Sequence, residues 1–277
     1  MRLVRTNVDF VKIAVSINLT PKSFDDQYQG CSQQIMKELN EGDYFTKELE
    51  VNKNYSKIWQ NAHLKWLNQQ KNLPQNMTDT HAVAILVYIL NNNIHSDFSR
   101  AMASLGTSTA QYHHDFHFKY LHYYLTSAIQ LLREDLLSHN KYHCYELHYE
   151  SKDVSLKVPI GTIIRFGQFL STSLLRNKTQ NSKNKTFFTI STCLGIPVDY
   201  FSLKKEVLIP PYELFEVVNI SSLPRGNWVQ LQSIGNFSTY NCQLLKASST
   251  ECLPVPVTIA SLSFLSIILI SFKNGIL

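Results

Sequence analysis

Apolar residues recur at intervals of three and four through the first half of this 277-residue chain, then give way to short alternating runs. In "SQQIMKELNEGDYFTKELEVNKNYSKIWQNAHLKWLNQQ" the spacing fits amphipathic helix, with little β-branching. "TDTHAVAILVYILNNN" opens on a Thr/Asp cap and ends in asparagines, and "DFHFKYLHYYLTSAIQLLREDLL" carries another amphipathic stripe. Residues 21–140 are therefore expected to be mostly helical. From about residue 143 the texture changes. "HCYELHYE", "GTIIRFGQFLSTSL", "TFFTISTCL", "KEVLIPPYELFEVVNIS", "WVQLQSI" and "TYNCQLLKA" are short β-branched and aromatic runs separated by Gly, Pro and Asn-rich turns. Helices first and strands afterwards predict one α+β domain, with Asn177–Lys185 as a polar loop.

Composition narrows the class only a little. At 44% apolar and 17% charged, the chain is neither disordered nor fibrous. Its net charge of +5 is scattered, with no long basic run, which argues against nucleic acid as a partner. The mild excess suits either a polyanionic small molecule or an ordinary solvated surface. A monomer is expected.

The compartment is better marked. Seven Asn-x-Ser/Thr sequons, at Asn18, Asn54, Asn76, Asn177, Asn184, Asn219 and Asn236, read as those of a glycosylated secretory protein. The five cysteines, Cys31, Cys144, Cys193, Cys242 and Cys252, show no CxxC spacing, so zinc and redox roles are not expected. His113, His114, His117 and His122 do not share one helical face, and no metal is expected there either. Near the C-terminus, the small residues Ala247, Ser248 and Ser249 precede a Pro-containing spacer and the nearly charge-free run Val257–Phe272. That order is a GPI-anchor signal with attachment at Ala247 and a propeptide over 248–277. The alternative, a membrane-spanning helix, needs about 20 apolar residues. Cleavage after Ala247 would remove Cys252 and leave an even set of four cysteines. Residues 1–20, with charges at Arg2, Arg5, Asp9 and Lys12, lack the apolar core of a signal peptide. The expectation is a start upstream or elsewhere; the alternative is a cytosolic protein with accidental sequons.

Three stretches carry candidate chemistry: "IRFGQFLSTSL" over 164–174, "LKKEVLIPPYELF" over 203–215 and "YELHYESKD" over 145–153. Together with "SFDDQYQGC", "NMTDTHAVAI", "FHFKYLHYYLTSAIQLL" and "STYNCQLLKA", they resemble the vertebrate ecto-ADP-ribosyltransferases, GPI-anchored enzymes that use NAD. The likeness covers the chain from about residue 23 and defines an expected domain over 21–247. It implies helices packed on two small antiparallel sheets that form an NAD cleft, with NAD as co-substrate and no metal. It implies disulfides Cys31–Cys242 and Cys144–Cys193. It implies a surface protein as acceptor and a place on the outer face of the plasma membrane.

The resemblance also assigns roles. Nicotinamide departs from the ribose C1 through a transition state with oxocarbenium character, which a carboxylate stabilises. By position that carboxylate is Glu206, oriented by Ser171. Arg165, Gln168 and Phe169 become NAD-lining residues. Two positions depart from the family pattern. Lys204 stands where a carboxylate would receive an acceptor guanidinium, and a protonated lysine is no base. Glu150 stands where an arginine would hold the pyrophosphate. Arginine transfer is therefore expected to be weak or lost, and the competing reading is a surface glycoprotein that binds without catalysis. Apart from the likeness, Glu206, Ser171 and Ser173 are also ordinary residues for a strand edge. "PRGNW", Pro224–Trp228, lacks the carboxylate of an integrin ligand and is not read as one.

Overall fold

The computed structural model describes residues 23–246 except 91, 106–107, 142, 152–157, 175–184, 203–204 and 224–225. Lys204, Asn18, Asn177, Asn184, Ala247 and Cys252 lie outside the described residues.

Helices α1 (Ser32–Glu41), α2 (Tyr44–Val51), α3 (Lys53–Leu67), α4 (Asp79–Leu90), α5 (Asn92–Leu105), α6 (Thr109–Asp115) and α7 (Lys119–Ser138) fill the first half. Local chemistry sets several ends. The Asn52 side chain accepts from the backbone N–H groups of Asn54 and Tyr55 at the start of α3, and Ser108 caps α6 through Gln111 N–H. Helix α4 is apolar almost all round, with buried residues from His81 to Ile89, because its neighbours cover it on every side. Two histidines sit within this core. His122 Nδ1 is 2.7 Å from Tyr28 Oη, and burial lowers its pKa to about 3. His81 is likewise lowered, to about 4, and lies 3.2 Å from Ser127 Oγ. Among the described residues no three His, Cys, Asp or Glu side chains converge as metal ligands.

The second half forms strands β1 (Tyr145–Ser151), β2 (Ile163–Arg165), β3 (Leu170–Ser173), β4 (Lys185–Thr192), β5 (Ile196–Pro197), β6 (Glu206–Ile209), β7 (Glu213–Leu223) and β8 (Gly226–Asn236). They join in one sheet of order β2-β7-β8-β4-β1-β3-β6-β5. The α+β class stands as expected. The expected pair of antiparallel sheets is instead a single mixed sheet, since β4 and β8 run parallel. The two halves of the sheet meet at β1 and β3, which pair only at His148 and Ser173.

Alternation on the strands divides two cores. Val207 and Ile209 join a cluster with Leu147, Leu170, Phe188, Phe215 and Leu231. Leu208, between them, joins the helical core with Phe98, Tyr88 and Phe169. Strand β6 is thus apolar on both faces until its first residue, Glu206.

The chain ends of the domain are tied together by two buried acids. Asp25 pairs with Arg165 and accepts from the backbone N–H groups of Thr239 and Tyr240 at 2.9 to 3.1 Å. Asp26 accepts from Tyr28, Cys242 and Gln243 N–H at 2.7, 3.0 and 2.8 Å. Desolvation still raises the Asp26 pKa. Ser23 Oγ donates to the carbonyl of Gly167, whose φ of +68° turns the chain between β2 and β3. The Cys31–Cys242 disulfide spans 211 residues beside this clamp, and Cys144–Cys193 spans 49. Each bridge contributes about 2–5 kcal/mol.

Removing Asp25 would strand a buried guanidinium. Asp25→Ala is expected to lower unfolding stability by about 3–5 kcal/mol, measured by urea denaturation. A further buried acid makes stability depend on pH. Glu48 accepts from Tyr120 N–H at 3.0 Å, and burial raises its pKa to about 8 from an ordinary 4.5. The folded state therefore holds a proton that the unfolded state releases. Stability is full below about pH 4.5 and falls as pH rises towards 8, and Glu48→Gln should flatten that slope in pH-resolved denaturation.

Candidate functional site

Strands β3 and β6 bring two of the expected residues together. They pair antiparallel with Ser173 opposite Glu206 and Ser171 opposite Leu208. Facing residues share a side of the sheet, so Phe169, Ser171 and Ser173 lie on the Glu206 side. Ser171 Oγ donates to Glu206 Oε2 at 2.8 Å, and both side chains are half-buried. The hydroxyl fixes one of the two carboxylate oxygens.

The backbone beneath Glu206 is held from both sides. Leu174 N–H donates to Lys205 C=O at 3.1 Å, and Val198 N–H donates to Glu206 C=O at 3.0 Å. The turn that leads into β6 is strapped to the α3–α4 connection. Lys71 Nζ donates to Tyr200 C=O and lies over the Tyr200 ring, Tyr200 Oη donates to Asn72 C=O, and Gln69 Nε2 donates to Phe201 C=O. At the other end of β4, Glu213 accepts from Thr192 Oγ1, Ser233 Oγ and the N–H groups of Cys193 and Leu194. Burial raises its pKa, and its role is to set the turn into β5.

Strand β1 completes the face. Tyr145 and Leu147 enter the sheet's apolar core, so Glu146, His148 and Glu150 point the other way. His148 pairs with Ser173, which pairs with Glu206, and the three form one row. Glu150 is two residues further along β1, towards Ser171, because the strands are antiparallel. Ser171, Glu206 and Glu150 thus occupy one face.

Two of the expected NAD-lining residues are fully buried. Arg165 is 2% exposed and Phe169 0%. Arg165 is engaged by Asp25 and donates to Phe237 C=O at 3.3 Å, and burial lowers its pKa to about 10. It is a charged residue at pH 7, buried against Asp25. Phe169 stacks on Phe98 at 5.7 Å between ring centres, and its carbonyl accepts from Tyr88 Oη at 2.6 Å. It floors the site from within the helical core. Both sit in the apolar environment that their neighbours create, which strand periodicity alone does not report. Gln168 is half-buried. His148 was not among the expected residues, although the alternation in "YELHYES" already places it on the Glu150 side. Of the sequons, Asn54, Asn76, Asn219 and Asn236 are exposed. Among the described residues no helix is long and apolar enough to cross a membrane.

Comparison with known proteins supplies the context for this geometry. The family model for NAD:arginine ADP-ribosyltransferase matches residues 17–239. Human ecto-ADP-ribosyltransferase 4 is 64% identical over 266 residues, covering 96% of this chain and 85% of that protein. Human GPI-linked NAD(P)(+)--arginine ADP-ribosyltransferase 1 is 33% identical over 260 residues, covering 87% and 78%. Among solved structures, the eukaryotic mono-ADP-ribosyltransferase ART2.2 superposes with a TM-score of 0.66 at 28% identity, covering 82% of this chain and 98% of that one. A mutant of ART2.2 in complex with NAD matches equally well, at a TM-score of 0.66.

The Ser171 hydroxyl is half-exposed and anchors no core. Ser171→Ala is expected to change unfolding free energy by less than about 1 kcal/mol in denaturant titration, in contrast to Asp25→Ala.

Proposed function

This chain belongs to the NAD:arginine ADP-ribosyltransferase family, and from that premise we propose that it cleaves NAD at the nicotinamide–ribose bond on the outer surface of the cell. The observation that carries the reading is the Ser171–Glu206 hydrogen bond at the mouth of the sheet. A carboxylate held in this way meets the need of a ribosyl transition state. As nicotinamide leaves, positive charge develops on C1 and the ring oxygen, and Glu206 stabilises that charge. Ser171 orients the carboxylate before the reaction, so little reorganisation is needed when the charge appears. NAD is the co-substrate, and the released ADP-ribosyl group passes to a nucleophile.

Arginine is a poor acceptor under this reading. Glu150 faces the site with the wrong sign for a pyrophosphate, and Arg165 is turned inward to Asp25. At the position of Lys204 a second carboxylate would deprotonate a guanidinium. Slow hydrolysis of NAD, or transfer to a different nucleophile, is what the remaining groups support. A second reading is favoured by the same two substitutions: a surface glycoprotein of this fold that binds a partner without chemistry. A place at the membrane surface, through a GPI anchor at Ala247, is supported by the C-terminal small-residue and apolar pattern and by relatives named GPI-linked. The exposed sequons are consistent with passage through the secretory pathway.

The deciding measurement is nicotinamide release by the protein displayed on eukaryotic cells and supplied with millimolar NAD. Glu206→Gln should reduce release by about 10²–10³-fold, the scale set by loss of a preorganised electrostatic group. Release that is absent in the parent protein, or unchanged by Glu206→Gln, rejects the catalytic reading. The double variant Lys204→Glu/Glu150→Arg should gain arginine transfer, detected as label incorporated into an arginine-rich acceptor.

A further inference from the structure

A cavity of about 360 Å³ opens between α7, the segment before α1 and the end of β8. Buried Tyr28, Ile129 and Tyr212 form its floor. Tyr212 follows the end of β6, whose first residue is Glu206, so the cavity lies at the opposite end of that strand from the candidate site. Neither Ser171 nor Glu206 lines it. The amides around its mouth are joined. Gln29 Nε2 donates to Gln27 Oε1 at 3.3 Å, and Gln27 Nε2 donates to Asn236 Oδ1 at 3.4 Å and to Ser238 Oγ at 2.7 Å. Gln130 Nε2 donates to Gln27 C=O at 3.0 Å, and Ser238 Oγ donates to Asp25 C=O at 2.7 Å. Asn236-Phe237-Ser238 is a sequon, so residues 25–27 grip both of its defining side chains, and its asparagine stands on the cavity rim.

The lining selects a neutral, polyfunctional ligand. Its two charged residues, Arg133 and Glu134, are of opposite sign, so neither an anion nor a cation is favoured by net charge. Amides both donate and accept, as the hydroxyls and acetamide of an amino sugar do. Tyrosine rings offer an apolar surface for the C–H face of a pyranose. The volume lies at the lower end of the range for small-molecule pockets, about 300–1,000 Å³, which suits one ring and not an oligosaccharide. We propose that this cavity seats the first N-acetylglucosamine of a glycan carried by Asn236. The link forms while the chain is still open: Asn236 Nδ2 attacks C1 of the sugar and loses a proton, and the lipid pyrophosphate of the donor leaves. Because the bond is made at nitrogen, Oδ1 keeps its place as the acceptor for Gln27. Docking of residues 25–27 on Ser238 then closes the sequon with the sugar inside. The proposal rests on passage through the secretory pathway, which belongs to the proposed function, and is independent of NAD chemistry.

The test uses the full-length glycoprotein purified from eukaryotic cells and a peptide N-glycanase, which hydrolyses the sugar–asparagine bond and leaves aspartate. Peptide mass spectrometry follows the conversion at each sequon. In the native protein, removal at Asn236 is expected to be about tenfold slower than at the exposed Asn54, Asn76 and Asn219, because the enzyme must wait for the sugar to leave the cavity. After unfolding in urea the rates should converge. Gln130→Phe places a ring in the cavity and should bring native removal at Asn236 to within about twofold of the other sites. Crowding of the enzyme at that surface, in place of seating, would leave the rate slow in Gln130→Phe. Thermal melting shows whether that variant has folded, and Gln29→Trp fills the same space from the rim if it has not. Equal native rates, slow removal that persists in a folded cavity-filled variant, or a bare Asn236 beside glycans at the other sequons would overturn the seat alone. Bare asparagines at every sequon would overturn the secretory reading and the seat with it.

Discussion

Two adjacent carboxylates sustain this fold. Asp25 and Asp26 are buried on a segment that precedes the first helix, yet their partners are the backbone of residues 239–243 and the guanidinium of Arg165. A buried charge is tolerated only where hydrogen bonds replace its water, and here backbone N–H groups do so. The arrangement has a cost, visible in the raised pKa of Asp26. In return it fixes three places at once: the start of the helical half, the end of the sheet, and the Gly167 turn that aims β3. Ser171 enters the site from that turn. The position of the hydroxyl therefore depends on two buried acids.

The division of labour along the sheet follows from the same economy. Strand β6 is apolar on both faces because a core lies on either side, and only its first residue emerges. Glu206 is thus delivered at a rim by a strand that cannot slip: moving its register by one residue would push Val207 and Ile209 into the wrong core. The strap between the α3–α4 connection and the Tyr200 turn adds a second constraint upstream.

Much of this was legible in the residues. Spacings of three and four located the helical half, and β-branched runs located the strands, because those periods arise from local geometry. The resemblance to a known family identified Ser171 and Glu206 and the bridged cysteines. The order of the strands was not legible. The parallel pairing of β4 with β8 joins segments separated by β5, β6 and β7, and no local signal encodes it. Arg165 shows the other limit. In sequence it is a cation on a strand near the site; in the fold it belongs to Asp25, some 140 positions upstream in a different layer. Its partner is set by packing, and packing is a property of the whole chain. His148 is the converse, since alternation alone would have placed it beside Glu150.

The Cys31–Cys242 bridge has a mechanical meaning. A pull applied at Lys246 reaches Cys242 before it reaches the last strand. There the load divides, and part of it passes through a covalent bond to the head of the first helix. Beside it, Asp26 clamps Cys242 and Gln243, so the short link between them is loaded in shear across several hydrogen bonds at once. Strand β8, which would otherwise be unzipped one bond at a time, carries only the remainder. A molecule tethered by this end would better keep its sheet in register under drag, because part of the tension is diverted around the sheet.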